Sequence, residues 1–395
     1  MKIKTYNGRL IEVDLNTNDN TDDWIALPAL IDPHVHFRIP GAEHKENWES
    51  GAAAAMAGGV TTVFDMPNNT PSIIDKITLD TKIDLVNKQL ANAGILMHSY
   101  FYLGATLDNL AEIEKCKDEI IGVKIFMGAS TGNLLVSKNE AQEKIFKKCA
   151  ELGLVVAVHA EDDDLINEQK LKFPTPTVFD HGKIRPDVAA KSAVTKAIDL
   201  ARKTGAKLYI LHASTALELE LIKKAKQDGL TIYAETTPHH LFLDESAYEA
   251  LGTLAQMNPP LRSKSDVVAL WQAIDAGTID TIGTDHAPHT LEEKSLPYPQ
   301  SPSGVPGIET NLPLLLNAYN NGKISLEKIV EITRLNAQKI FNLPDNNDWV
   351  IVDLKKEQPI ENKNLKTKCG WSPFDGWRIT GWPIYTILNN KLYKI

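Results

Sequence analysis

Eight short runs rich in β-branched and aromatic residues recur along the chain, separated by stretches of helical periodicity. No other feature constrains the fold as strongly, because alternating strands and helices favour parallel strands joined by right-handed crossovers. The runs are IALPALI, VTTVFDM, ILMHSYFYL, IIGVKIFM, LVVAVHA, KLYILHA, TIYAETT and DTIGTDH. Among the spacers, NWESGAAAAMAGG is rich in alanine and stops at glycine. NEAQEKIFKKCAELG and AVTKAIDLARKTG place apolar residues at i, i+3 and i+4 and also end in glycine. Eight such units predict an α/β fold, a (β/α)8 TIM-like barrel. A doubly wound open sheet is the alternative, but no Gly-x-Gly-x-x-Gly follows the first strand.

The barrel is expected over residues 27–345. Residues 1–26 and 346–395 read as strands outside it and predict a small β-sandwich built from both chain ends. NLPDNNDW, by its Pro, Asp and Asn content, reads as the linker. A formal charge of −9 argues against a nucleic-acid or anionic-membrane partner. No apolar run is long enough to span a membrane, and MKIKTYNGRLIEVD lacks the apolar stretch of a signal peptide. Cys116, Cys149 and Cys369 are odd in number and far apart, so reduced thiols in a cytoplasmic protein are expected. The absence of Cys-x-x-Cys argues against a thiolate zinc site.

In (β/α)8 barrels the active site lies at the C-terminal ends of the strands. His34 and His36 follow the first strand one residue apart, so both imidazoles can aim at one point. Lys124 lies in the fourth strand, His159 and His212 end the fifth and sixth, and Asp285 ends the eighth. Each has an ordinary structural reading: a rim histidine, a helix-capping aspartate, a lysine snorkelling to water. Gathered on one rim, they point instead to a metal site. A desolvated lysine tends to the free amine. That amine can add carbon dioxide, and the resulting carbamate has two oxygens with which to bridge two cations. Two divalent ions, expected to be zinc, would then be held by His34, His36 and Asp285 on one side and His159 and His212 on the other. Carboxylated Lys124 would stand between them, and Asp285 would also carry the catalytic proton.

DPHVHFRIPG, GGVTTVFDMPNNTP, GVKIFMGASTG, VVAVHAED, LHAS, TPHHL, MNPPLR, TDHAPH and GVPGIET together cover nearly the whole chain. They resemble the motifs of dihydroorotases, members of the amidohydrolase superfamily. The resemblance implies reversible closure of N-carbamoyl-L-aspartate to L-dihydroorotate in pyrimidine biosynthesis, by a cytoplasmic homodimer. It implies that Arg38 and Asn68 hold the substrate carboxylate, that Asn258 and His289 are further contacts, and that the backbone near Val305 to Gly307 meets the ring. A planar guanidinium suits a carboxylate. On their residues alone, Asn68 beside Pro67 and Asn258 before Pro259 would read as turn residues. Some bacterial dihydroorotases bridge their metals with an aspartate. The window IIGVKIFMGASTGNLL contains no acid, which leaves Lys124 as the bridge. The small residues of MGASTGN suggest a mobile loop over the site.

The nearest rival is another cyclic amidase: a hydantoinase, dihydropyrimidinase or allantoinase. Such enzymes share the metal set but gain nothing from Arg38, because their usual substrates lack a carboxylate beside the ring amide. A metal-free structural or regulatory relative is the rival from another class, but it would be expected to have lost ligands this chain keeps. His239 and His240 read as supporting residues, and His44, His98 and His181 as lying outside the site.

Overall fold

The computed structural model describes residues 1–15, 17, 19–128 and 134–395. Most of the expected loop MGASTGN therefore lies outside the described residues. The barrel strands are β4 (Leu30–Val35), β5 (Val60–Asp65), β6 (His98–Gly104), β7 (Gly122–Phe126), β8 (Val155–His159), β9 (Lys207–Ile210), β10 (Ile232–Thr236) and β11 (Thr281–Ile282). They follow one another in order as parallel neighbours. Bridges from His286 to Val35 and to Val305 draw the last strand's exit towards the first.

A second, separate sheet has six strands, drawn from the two chain ends. It is formed by β1 (Lys2–Thr5), β2 (Leu10–Glu12), β3 (Trp24–Pro28), β12 (Trp349–Pro359), β13 (Arg378–Leu388) and β14 (Lys391–Lys394). The run IALPALI, read as one strand, divides between the two sheets. The Ala29 amide donates to Asp348 at 3.0 Å, on the terminal-sheet side, whereas the next amide, Leu30, donates to Gly59 at 2.9 Å, on the barrel side. The switch thus falls at Ala29, a few residues past the expected boundary. Apolar character alone cannot reveal it, since both halves are buried.

Successive strand residues point to opposite faces, and this sorts the barrel into two apolar layers. Outward, Val123, Ile125, Val156, Val158, Leu208 and Ile210 pack in the main core. Inward, Ile31, Phe64, Tyr102, Val155, Ala157 and Tyr209 form a second cluster with Ala337, Ile340 and Phe341. Arg334, just before those three, donates from Nη1 to the carbonyl of Ala29 at 3.1 Å. This segment therefore closes the N-terminal mouth, where β4 begins. Towards the other mouth the inward series turns polar: Lys124 follows Gly122, His159 follows Ala157, and Glu235 follows Tyr233. The alternation that builds the core thus delivers these side chains to the C-terminal rim.

The eighth strand is shorter than DTIGTDH suggests. Gly283 lies so close to Glu235 that a Cβ there would meet its Oε2 at 2.2 Å. Asp285 then turns with φ of 45°. No described helix is long and apolar enough to cross a membrane. The three cysteines are unpaired and buried.

Candidate active site

His34, His36 and Asp285 converge at the mouth, with ligand-type atoms all within 4.8 Å of one another. Asp285 Oδ1 lies 3.0 Å from His36 Nε2 and 3.3 Å from His34 Nε2. His159 Nδ1 faces His212 Nε2 at 2.9 Å. The His34 and His212 rings approach to 5.5 Å between centroids, which joins the two groups into one. Lys124 is 1% exposed. Its Nζ lies over the Phe126 ring, 4.6 Å from the centroid, and makes no hydrogen bond or ion pair among the described residues.

The electrostatics follow from burial. Desolvation holds the His36, His159 and His212 imidazoles below their ordinary range, His36 at about 4. They are therefore neutral at physiological pH, the form that can ligate a cation. Burial alone would raise the Asp285 carboxyl, but His34, His36 and His212 around it reverse this and hold it well below the usual carboxylate range. Burial pushes Lys124 down to about 7, so the free amine is accessible. Arg38, His212 and Asp285 have φ of 65°, 39° and 45°. Left-handed backbone in residues of this kind costs roughly 1–3 kcal/mol each and collects where surrounding structure over-determines a functional geometry.

Residues overlooked in the sequence supply much of that structure. Glu235 Oε1 lies 2.8 Å from His34 Nδ1 and accepts the His212 amide at 3.2 Å; its Oε2 accepts the Tyr209 hydroxyl at 3.0 Å. One carboxylate thus orients histidines from both groups. Asp32 Oδ1 accepts the amides of His34 and Thr284, at 3.3 and 2.9 Å, tying the exit of β4 to the segment carrying Asp285. Glu161 Oε2 stands 3.1 Å from His159 Nε2, outside hydrogen-bond geometry, and Arg185 holds this carboxylate through several guanidinium contacts. The only sequence signal for these residues was parity: Glu235 and Asp32 occupy alternate strand positions near the rim.

A cavity brings His34, His36, Lys124, His159, His212 and Asp285 together with Arg38, Asn68, Asn258, Phe126, Ala287, Ser303 and Gly304. Arg38 is 7% exposed, and its Nε donates to the Pro288 carbonyl at 3.1 Å. Burial lowers its guanidinium only to about 10, so it stays charged at neutral pH. Asn68 Oδ1 is 2.8 Å from His36 Nδ1. Asn258 Oδ1 is buried and finds no donor among the described residues.

Three expected contacts do not line this cavity. His289 sits behind Arg38, its Nε2 3.2 Å from both Arg38 Nη2 and the Ser303 carbonyl. The Val305 carbonyl accepts the Ala287 amide at 3.0 Å, and the Gly307 amide donates to His286 Nδ1 at 3.2 Å. Those backbone groups are taken up by the segment after Asp285, so the wall falls to Ser303 and Gly304 instead. His240 packs between Thr237 and the Pro259 carbonyl, 2.8 and 3.2 Å away. His239 is buried against it, with ring centroids 4.6 Å apart. His44, His98 and His181 make their contacts elsewhere.

The donor set fits divalent cations. Two imidazole nitrogens face each other at 2.9 Å, two more lie within 3.3 Å of one carboxylate oxygen, and Lys124, with no ion pair among the described residues, lines the same cavity. All donors are nitrogen or oxygen, with no thiolate, which suits zinc or a similar ion.

Barrel, rim and donor set together define a class, the hydrolases of the amidohydrolase type, and the amidohydrolase family model matches residues 25–348. A dihydroorotase of Pyrococcus furiosus is 38% identical over 93% of this chain and 81% of its own length. One of Pyrococcus abyssi is 37% identical over 98% and 92%. The solved L-hydantoinase of Arthrobacter aurescens superposes with a TM-score of 0.89 at 26% identity, over 93% of this chain and 85% of its own. The chain belongs to the amidohydrolase family, in its dihydroorotase branch.

Proposed function

We propose that the chain is a binuclear, metal-dependent dihydroorotase, closing N-carbamoyl-L-aspartate to L-dihydroorotate and reopening it, in the cytoplasmic synthesis of pyrimidines and as a homodimer. The observation that carries this reading is the Arg38 guanidinium. It is buried at the cavity beside the histidine cluster, and no carboxylate among the described residues lies within ion-pair distance of it. A buried cation without a counter-ion is costly, and a substrate carboxylate would supply one through two parallel hydrogen bonds. Hydantoin and dihydrouracil carry no such group, which sets this reading above the hydantoinase one despite the structural likeness.

His34, His36 and Asp285 would hold one metal ion, and His159 and His212 the other. When bound, the two ions would polarise the ring amide carbonyl and make hydroxide available at neutral pH. Lys124, buried and accessible as its amine, would carry carbon dioxide as a carbamate, the anion two neighbouring cations need between them. Asp285, ionised at neutral pH, takes a proton on the attacking side and returns it to the leaving ring nitrogen; ring closure runs the same transfers backwards. Asn258, through its unpartnered carbonyl oxygen, accepts from a ring N–H, and Asn68 orients both His36 and the substrate. Residues 27–345 would form the catalytic domain, with 1–26 and 346–395 as a separate support.

The test assays ring opening of dihydroorotate beside hydantoin, dihydrouracil and allantoin, with metal content measured on the same sample. Preference for dihydroorotate with two metals per chain is expected. Preference for a ring without a carboxylate would overturn the substrate assignment.

A further inference from the structure

Lys294 ends the four-residue helix Leu291–Lys294 and has no exposed surface. Its Nζ donates to three backbone carbonyls: Gln256 at 2.9 Å, Pro302 at 2.9 Å and Gly304 at 3.1 Å. Three acceptors use all three N–H groups of an ammonium. No carboxylate among the described residues lies within ion-pair distance. Burial pushes the group down to about 7, but a neutral amine has two N–H groups and would leave one of the three carbonyls without a donor, so the geometry calls for the ammonium. Among the described residues the charge is therefore met in the interior by three neutral carbonyls and the Trp371 ring, its centroid 5.8 Å from Nζ, with no counter-ion to offset its desolvation.

What those carbonyls belong to gives the charge a purpose. Gln256 lies two residues before Asn258, and Pro302 and Gly304 flank Ser303; Asn258, Ser303 and Gly304 all line the cavity. The same two segments are cross-tied by the Gly304 amide to the Gln256 carbonyl at 2.9 Å and by Gln256 Nε2 to the Ser301 carbonyl at 2.8 Å. Gly304, with φ of 140°, runs so close to Ala287 that a Cβ would sit 2.6 Å from its carbonyl oxygen. The wall is thus set at one spacing from the segment carrying Asp285, and Lys294 is the node at which its two halves meet.

We propose that Lys294 is a positioning residue for substrate recognition: its ammonium holds the Asn258 segment and the Ser303–Gly304 segment in the register that receives the ring. The proposal rests on the cyclic-amidase reading but not on the identity of the ring. It touches no metal ligand, so its loss should separate substrate binding from metal binding and from chemistry.

The experiment compares Lys294→Met and Lys294→Gln with wild type for metal content, kcat and KM on dihydroorotate. For Lys294→Met we expect both metals retained, kcat within about threefold and KM raised by about tenfold or more, the pattern of lost ground-state binding. Lys294→Gln, which keeps two N–H donors on a side chain one bond shorter, should recover part of the loss. An unchanged KM in folded Lys294→Met, or a fall in kcat or metal with KM unchanged, overturns the proposal. If Lys294→Met is not recovered folded, Lys294→Gln is read in its place. If neither folds, Lys294 is a determinant of folding and the proposal fails. Wild-type protein inactive on dihydroorotate but active on another cyclic amide would sink the substrate reading alone, and the same comparison would then be run on that amide.

Discussion

Replacing Lys82 by methionine should destabilise the protein and weaken substrate binding together, because one ammonium braces two loops of the site. Lys82 and Asp65 are both without exposed surface, with Nζ 2.6 Å from Oδ2. Lys82 also donates to the Met66 carbonyl at 3.0 Å and to Asn69 Oδ1 at 2.9 Å, on either side of Asn68. Asp65 Oδ1 accepts the Phe37 amide at 2.9 Å, next to Arg38. Lys82→Met would leave a buried carboxylate with that single amide as its hydrogen-bonded partner among the described residues, a change that costs about 3–5 kcal/mol. With an unfolding entropy of about 2.1 cal/mol/K per residue, and the chain of 395 residues taken as one cooperative unit, Tm should fall by roughly 4–6 °C. The assay is thermal unfolding followed by circular dichroism under saturating metal, with KM for dihydroorotate on the same samples. Adding Asp65→Asn should restore roughly half of the lost stability, since the stranded charge is then gone. A loss under about 1 kcal/mol in the single variant, or a double variant no better than the single, would refute the reasoning.

Arg38→Met should leave metal content intact and cost about 1.5–3 kcal/mol of recognition, roughly ten- to hundredfold in kcat/KM for dihydroorotate; Arg38→Lys should rescue poorly, since an ammonium lacks the planar fork. Asp285→Asn should lower kcat by about 10²–10⁴-fold with a smaller change in KM, and near-normal kcat with full metal would assign the proton to another group. Lys124→Ala should bind fewer metals and lose activity, and short carboxylic acids supplied with metal should restore part of it; full metal content and activity in the unsupplemented variant would exclude a bridging role for this lysine.

The barrel and the inner ring of its site were legible in the sequence because both depend on short-range order. Strand runs repeat eight times, several of the helices between them stop at glycine, and His34, His36, Lys124, His159, His212 and Asp285 lie in or just beyond the runs that parity picks out. Residues further out were legible only where a motif carried them. Arg38, Asn68 and Asn258 reach the cavity, while His289, Val305 and Gly307 stand back from it, because the path between Ala287 and Ser303 depends on which backbone groups pair with His286 and Gln256. Glu235, Asp32, Lys82 and Lys294 gave no comparable signal. A charged residue in a sequence reads as exposed until its partner is known, and these partners lie 201 residues away for Glu235 and His34, and 252 for Asp32 and Thr284. The sequence by itself determined that side chains within the strands, such as His34, Lys124 and His159, face the barrel mouth, since that follows from the pleat of each strand. Only the tertiary structure decided which buried charges brace them, at what spacing, and where one sheet hands the chain to the other at Ala29, because those outcomes depend on contacts between segments that meet only once the barrel has closed.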